Sequence, residues 1–510
     1  MSGSCNLSDF LRRSAQVHRT RPAVLSDDAP GGTLSYEQLD ALVDALASSL
    51  RLDRGERVLT LCENHWRYLA LHFAIARSGA ITVPMSPRAT PTEIRHVAER
   101  IESRRCVGDL IGAESLRSAS LVPTDLESLL DRAEPLGSTT TPAQSEPETD
   151  DGHAALLYFT SGTTGQPKGV VLTHHNAWSH ALAAIHEVGL DENSVWGHYA
   201  PMFHLADAWA IWAVTAAGGA HVFEPRFDAI RTWRSMQRLG VTVTNLVPTM
   251  LQRMLHADRP DPATLSMRCL LSGGAPIAPS VVEELEDAFG ARYMQTYGMT
   301  ETSPYLTITG HEVLDRCRNR RERAERAART GRPFLGVDLR VVDEVGTAIP
   351  ADDRAVGEIQ VRGPSVTPGY WQDPKATREA FTEDGYLRTG DLATLDGNGS
   401  VRIVDRRKDV ILSGGETIYS TEVEHRLLEH PDVQLAAVFA IPDEDLGERV
   451  CAAFVPARSR DPDPSELREF CREVLSGPKV PRQWFRLDDL PRTPSGKISK
   501  RELRHRFEEG

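Results

Sequence analysis

The chain has 510 residues, 40% hydrophobic and 25% charged, with a formal net charge of -14. This suits a globular protein of more than one domain with a large core, and it argues against a general nucleic-acid binder, whose surface must be basic. The seven cysteines (Cys5, Cys62, Cys106, Cys269, Cys317, Cys451, Cys471) are scattered and form no CxxC pair, which argues against a disulfide framework or structural zinc and for reduced thiols in a cytoplasmic protein.

Residues 1–13 carry no apolar h-region, and no apolar run approaches the roughly 20 residues that cross a bilayer, so neither a secretory signal nor a transmembrane segment is expected. Residues 8–18 read as an amphipathic helix with Ser8 as its N-cap. Residues 57–62 read as a strand and 66–78 as a helix, while 134–151, rich in Pro, Ser, Thr and acid, read as a solvated linker. The apolar runs 154–159 and 170–172 read as strands on either side of a Gly/Ser/Thr-rich turn. Residues 176–188 predict a helix, and 241–246 and 268–271 short buried strands. Such alternation predicts an α/β fold with helix-covered sheets. From 341 to 405, strand-like runs at 339–342, 358–362 and 400–404 stand between Gly, Pro and Asp turns and predict a β-rich subdomain. The tail after Asp409 has helices and strands of its own, enough for a small α+β domain.

The turn deserves its residues by name: Thr160, Ser161, Gly162, Thr163, Thr164, Gly165, Gln166, Pro167, Lys168, Gly169. Glycines let backbone N–H groups approach anionic oxygens, hydroxyls add donors, and lysine adds a point charge, so the mixture suits a polyphosphate. A Walker A loop is excluded, because Pro167 precedes Lys168 and a β-branched run, not a helix, follows. By itself the turn favours phosphate binding without securing it, because Gly, Ser and Thr clusters are usually ordinary loops.

Further motifs follow in order: Gly273-Gly274-Ala275-Pro276, Tyr297-Gly298-Met299-Thr300-Glu301, Tyr386-Leu387-Arg388-Thr389-Gly390-Asp391, Asp405-Arg406-Arg407-Lys408-Asp409 and Pro494-Ser495-Gly496-Lys497. With the turn, this ordered set resembles the adenylate-forming superfamily of acyl-CoA synthetases, peptide-synthetase adenylation domains and beetle luciferases. The resemblance spans nearly the whole chain. It implies an N-terminal adenylation domain at 1–405, a hinge at 406–409 and a small mobile C-terminal domain at 410–510.

The implied reaction joins a carboxylic acid to AMP with loss of pyrophosphate, then passes the acyl group to CoA. ATP, Mg²⁺ and CoA are the implied cofactor and co-substrates. The resemblance gives Thr160, Ser161, Gly162, Thr163, Thr164, Gly165 and Lys168 to the phosphates. Tyr297 and Gly298, with Gly273, Ala275 and Pro276, go to adenine, and Asp391 and Arg406 to the ribose. Thr300 is assigned to the α-phosphate and Glu301 to Mg²⁺. Lys497 would bridge the incoming carboxylate and the α-phosphate, where two anions must meet. Lys408 is the implied hinge, Gly414 and Gly415 a pantetheine tunnel, and His204, Trp209, Gly274 and Met299 the acyl pocket. His174, His175 and His180 have no zinc spacing and read as non-metal.

Three positions depart from the pattern of many relatives: Asp405 stands where Gly is common, Thr417 where Asn is, and Ser420 where Pro is. The last two fall in the segment used for thioester formation. An acyl-carrier-protein ligase and an adenylate-only enzyme are therefore alternatives, and a non-catalytic binding protein on the same fold is one of another class. The arginines at 316, 318, 320, 321, 323, 326 and 329 read as an exposed, ion-paired helix, the sharper alternative being a docking patch for an acidic carrier or CoA phosphates.

Overall fold

The structure, a computed structural model, describes residues 6–133, 152–160, 167–275, 277–457, 460–492 and 498–508. Ser161, Gly162, Thr163, Thr164, Gly165, Pro276, Lys497 and the whole of the expected linker, 134–151, lie outside the described residues. The chain forms two compact units, Met1–Asp338 with Val361–Leu387, and Leu339–Gln360 with Arg388–Gly510.

The first unit holds two mixed sheets. In one, among the described residues, the strand order is Arg332–Pro333, Tyr305–Ile308, Arg292–Gly298, Cys269–Gly273, Val243–Asn245, Val195–His198, Ala220–Phe223, Pro22–Leu25 and Thr33–Ser35. The other runs Gly369–Tyr370, Lys168–Thr173, Ala154–Thr160, Ile81–Met85, Arg57–Leu61, Cys106–Gly108 and Thr124–Asp125. The centres of both sheets are parallel. Parallel neighbours require crossovers, and helices such as Trp66–Arg77 and Pro279–Phe289 supply them, as the alternating sequence predicts. Leu205–Ala217 is apolar almost all round, and its buried positions run nearly unbroken from Leu205 to Thr215, so it is a core helix.

Three local expectations are refined. Ser8 is not the N-cap of the first helix: Ser8–Val17 already includes it, and its N–H donates to Asn6 Oδ1 at 2.8 Å, so Asn6 supplies the capping acceptor. The helix expected at 176 begins at His174, because Thr173 and Asn176 form a reciprocal capping box. Thr160 and Lys168 are not loop residues but directly opposed strand residues, since the antiparallel ladder continues to that pair.

The second unit holds a four-stranded sheet (Asp338–Val342, Gly357–Arg362, Leu387–Leu395, Val401–Arg406), whose last two strands are antiparallel, matching the β-rich subdomain. It also holds a five-stranded sheet, in which Val433–Asp443 and Gly447–Pro456 form a long antiparallel pair covered by Ser420–Leu428 and Lys500–Glu508. The α/β class with a separate α+β tail is therefore as read from the sequence.

Candidate active site

The Gly/Ser/Thr run is carried by the hairpin of Ala154–Thr160 and Lys168–Thr173, closed by the pair Thr160–Lys168. A third strand, Gly369–Tyr370, lies against its outer side with Tyr370 opposite Val170. Lys168 is two residues from Val170, so Lys168 and Tyr370 occupy diagonal positions on one face. The Lys168 Nζ stands 5.1 Å from the centre of the Tyr370 ring. The Tyr370 hydroxyl donates to Glu301 Oε1 at 3.0 Å. Burial and the adjacent Glu301 carboxylate raise the pKa of that hydroxyl, which keeps it protonated and able to donate. Three residues far apart in sequence thus meet, and two of them, Lys168 and Glu301, are sequence-predicted.

Glu301 is only 7% exposed and sits in the 3₁₀ turn Thr300–Thr302. Its carbonyl accepts the Thr367 N–H at 2.8 Å, and Ser303 Oγ donates to Ser365 O at 2.8 Å, which ties the turn to the segment before Tyr370. Gly298 permits this turn, because a Cβ there would run into the Pro304 carbonyl.

The residues assigned to adenine lie at neighbouring strand ends. Cys269–Gly273 and Arg292–Gly298 are parallel, with Gly273 beside Thr296. Their carboxyl ends are therefore level, the position where open α/β sheets bind ligands. Gln295 Nε2 fixes the turn after the first strand by donating to Ala275 O at 3.1 Å. Gly274 takes a φ of +86°, a backbone that favours glycine. Tyr297 and Gly298 end their strand, and Met299 and Thr300 follow at once.

His204 stands half-buried just before Leu205–Ala217, its ring 4.6 Å from that of Phe203. Trp209 is 1% exposed, donates to Ala206 O at 3.1 Å, and packs against Trp196, Tyr305 and His180. In this structure it is part of an aromatic core cluster. Burial holds His180 at a pKa of about 3, and its Nε2 accepts the Tyr305 N–H at 3.2 Å, so it is a neutral core histidine. His174 Nδ1 similarly accepts the Leu7 N–H at 3.2 Å.

Sequence reading missed what holds the segment before His204. Asn64, 3% exposed, donates to His198 O at 3.0 Å and Ala200 O at 2.7 Å and accepts from Met202 N–H at 2.8 Å. Asp207 Oδ2 meets His198 Nδ1 at 2.6 Å, His198 Nε2 meets His221 Nδ1 at 2.9 Å, and His221 Nε2 meets Thr215 Oγ1 at 3.0 Å. All four side chains are fully buried. Burial pushes the His221 pKa well down, with His198 adding to it. No local motif announces this chain, because its members pair across strands and a helix.

In the second unit, Asp391 and Arg406 are opposite each other on neighbouring strands, with Arg406 Nε 3.1 Å from Asp391 Oδ1. Asp391 is 4% exposed and its cation half-exposed, so the pair is open on the arginine side. Lys408 lies in the short turn Arg407–Asp409, and burial lowers its pKa. Arg504 donates to Lys408 O at 3.3 Å and pairs with Asp409 at 3.2 Å. Gly414 and Gly415 are the two central residues of a tight hairpin, with φ of +59° and +84°.

Two of the three departures turn out to be partners. Asp405 Oδ2 accepts from the Ser420 N–H at 2.5 Å and Ser420 Oγ at 2.7 Å. Lys500 Nζ donates to Ser420 Oγ at 2.6 Å and pairs with Glu424 at 2.8 Å. A proline at 420 would lack the N–H that Asp405 uses.

The arginine-rich segment is engaged by carboxylates. In the helix Arg320–Ala327, Glu322 pairs with Arg318 just ahead of it and Glu325 with Arg321, while Arg320 and Arg323 reach Asp287 and Glu286 on Pro279–Phe289. That favours the ion-pair reading over the docking patch.

The family model described as "AMP-binding enzyme" matches residues 11–371, and its "AMP-binding enzyme C-terminal domain" matches 422–497. The chain belongs to the AMP-binding enzymes. This family member is 34% identical to the long-chain-fatty-acid–CoA ligase of Thermus thermophilus, over 99% of this chain and 96% of that one. It is 37% identical to a feruloyl-CoA synthase from Amycolatopsis sp, over 94% and 95%. Its fold matches the o-succinylbenzoate CoA synthetase of Bacillus subtilis, solved with its acyl-adenylate intermediate, with a TM-score of 0.83 at 28% identity and 97% of each chain covered. Among the described residues no helix is long and apolar enough to cross a membrane.

Proposed function

We infer that this AMP-binding enzyme is an ATP-dependent acid–thiol ligase acting in the cytoplasm. The carrying observation is that the family match covers both the main body and the tail, and runs to Lys497. A carboxylate oxygen attacks the α-phosphorus of ATP, the bond to the β-phosphate oxygen breaks, and pyrophosphate leaves. The thiol of CoA then attacks the acyl carbon, forming the thioester and releasing AMP.

Lys168 supplies positive charge beside the phosphate turn, and the turn's hydroxyls and N–H groups supply donors. Asp391 has two oxygens for the two ribose hydroxyls, with Arg406 holding it in place. Lys497 neutralises the two anions as they meet. Thr300 contacts the α-phosphate, and Tyr297 offers its ring to adenine between Gly298 and the Gly273–Ala275 turn. The buried Glu301 carboxylate, held by the Tyr370 hydroxyl, fits a Mg²⁺ ligand, since that ion takes one or two carboxylates and completes its shell with phosphate oxygens and water. Bound there, the ion would neutralise charge on the phosphates.

Residues 410–510 turn about Lys408 between the two half-reactions, bringing first Lys497 and then Gly414 and Gly415 to the substrate. His204, Gly274 and Met299 border the acyl pocket, and Trp209 supports it from the aromatic core cluster. The relatives act on a fatty acid and on an aromatic acid, so the acid itself is open. ATP–pyrophosphate exchange over a chemically varied panel of acids tests the first step. Mass spectrometry of the product with CoA, or with an acyl carrier protein, tests the second. Exchange with no acid would return the chain to a binding role, and exchange without acyl-CoA would favour the carrier-protein or adenylate-only alternative.

A further inference from the structure

Tyr370 belongs to none of the motifs read from the sequence, yet it touches two of the residues those motifs nominate. Its ring faces the Lys168 ammonium at 5.1 Å, and its hydroxyl donates to Glu301 Oε1 at 3.0 Å. A cation over a tyrosine face is attracted by the ring quadrupole, and a hydroxyl bonded to a carboxylate makes a charge-assisted hydrogen bond.

The position of Tyr370 is determined by several bonds besides these. Its N–H donates to Thr377 Oγ1 at 3.0 Å, and Gly369 N–H donates to Thr367 Oγ1 at 3.0 Å. The Thr367 N–H holds the carbonyl of Glu301 itself, while Gly369 pairs with Val171 of the turn-bearing hairpin. Gly369 has a φ of +146°, and a Cβ there would press on the Thr377 side chain, so the approach needs glycine. Glu301 and Lys168 are thus tied to one short strand by backbone and by side chain.

We propose that Tyr370 is a positioning residue for adenylation: its hydroxyl fixes the orientation of the Glu301 carboxylate, and its ring holds the Lys168 ammonium. It touches no substrate and acts through these two side chains. Partners that orient a metal-binding carboxylate commonly change metal affinity about tenfold or more when removed. The inference rests on the reading of Glu301 as the Mg²⁺ ligand.

The test uses the full chain and ATP in the absence of any acid, so that no turnover occurs. Calorimetry measures ATP affinity with and without Mg²⁺ for the wild type, Tyr370→Phe and Tyr370→Leu. Tyr370→Phe keeps the ring and loses the hydroxyl. It is expected to bind Mg-free ATP as the wild type does, but to lose about tenfold of the Mg²⁺-dependent gain. Tyr370→Leu loses the ring as well and is expected to weaken Mg-free ATP binding too. The Mg²⁺ concentration that half-activates pyrophosphate exchange should rise in parallel for Tyr370→Phe. A Tyr370→Phe enzyme with the wild-type Mg²⁺ gain overturns the proposal. A uniform loss with and without Mg²⁺ also overturns it, since that is the signature of a packing role. A wild type whose ATP affinity ignores Mg²⁺ overturns instead the reading of Glu301 on which it rests.

Discussion

The turn-bearing hairpin of the first unit and the hinge region of the second hold charged groups by different means. At the hairpin, strand register does most of the work: Thr160 faces Lys168, Tyr370 faces Val170, and one neutral hydroxyl reaches Glu301. At the hinge, largely covered charged groups are held by side-chain partners: Asp405 by the Ser420 hydroxyl, Lys500 by Glu424, Arg504 by Asp409. A ladder of backbone bonds survives loss of any one side chain. A buried ion that loses its partner does not, because its desolvation is then uncompensated.

The largest effect is expected at Lys497, whose charge acts where the reactants meet. Lys497→Ala should lower ATP–pyrophosphate exchange by about a hundredfold or more, with an unchanged circular dichroism spectrum. Near-normal exchange would remove its role. Next comes Lys500→Met, which leaves the largely covered Glu424 with the Val438 N–H but no cation and should destabilise the tail by about 3 kcal/mol. Melting and limited proteolysis of the tail would measure it, and the change at the hairpin, Tyr370→Phe, should cost less, about 1.5 kcal/mol for one hydrogen bond to a charged group. If both variants melt alike, the contrast between register and ion pairing fails.

The pH dependence sharpens that contrast. Burial raises the Glu424 pKa above the ordinary carboxylate value even though Lys500 pulls it down. A carboxyl with a raised folded-state pKa favours the fold below its unfolded pKa, and that contribution is lost as pH rises through the folded value. Without Lys500 the folded pKa rises further, so the defect of Lys500→Met should be small near pH 5 and larger near pH 8. A defect independent of pH would mean that Glu424 is not the group left exposed by the substitution.

Gly415→Leu should have a smaller and more selective effect. A Cβ there meets nothing within 4 Å, so the cost lies in the positive φ, roughly 1–2 kcal/mol, and in the bulk placed at the hairpin tip. Acyl-CoA formation should fall while pyrophosphate exchange persists. Gly415→Asn, which tolerates that backbone better, should recover part of it. Loss of both half-reactions together would argue against a tunnel at this hairpin. Ser420→Ala is expected to be the mildest, removing one donor from Asp405 but sparing the N–H, at about 1 kcal/mol by chemical denaturation.

Much of this was legible before any coordinates. The alternation of patterns gave away the α/β class, and Thr160, Lys168, Gly273, Tyr297, Glu301, Asp391 and Arg406 stood in recognisable runs. The strand-level pairing of Asp391 with Arg406 was not legible, since the residues 392–405 and a turn separate two individually ordinary side chains. Ser8 misled because Ser is a good N-cap wherever it occurs, whereas the helix takes Leu7 as its N-cap and Asn6 supplies the acceptor for the Ser8 N–H.

What the residues dictated by themselves is what depends on near neighbours in the chain: backbone freedom at Gly414 and Gly415, hydrophobic period, and the chemical kinds gathered in each motif. Tertiary structure alone decided that Tyr370 meets Glu301, that Asp405 and Ser420 are one feature, and that Asp207, His198, His221 and Thr215 form a buried chain. Those contacts join side chains brought together by sheet register and helix crossing, and a buried polar group must find its partner wherever packing places one.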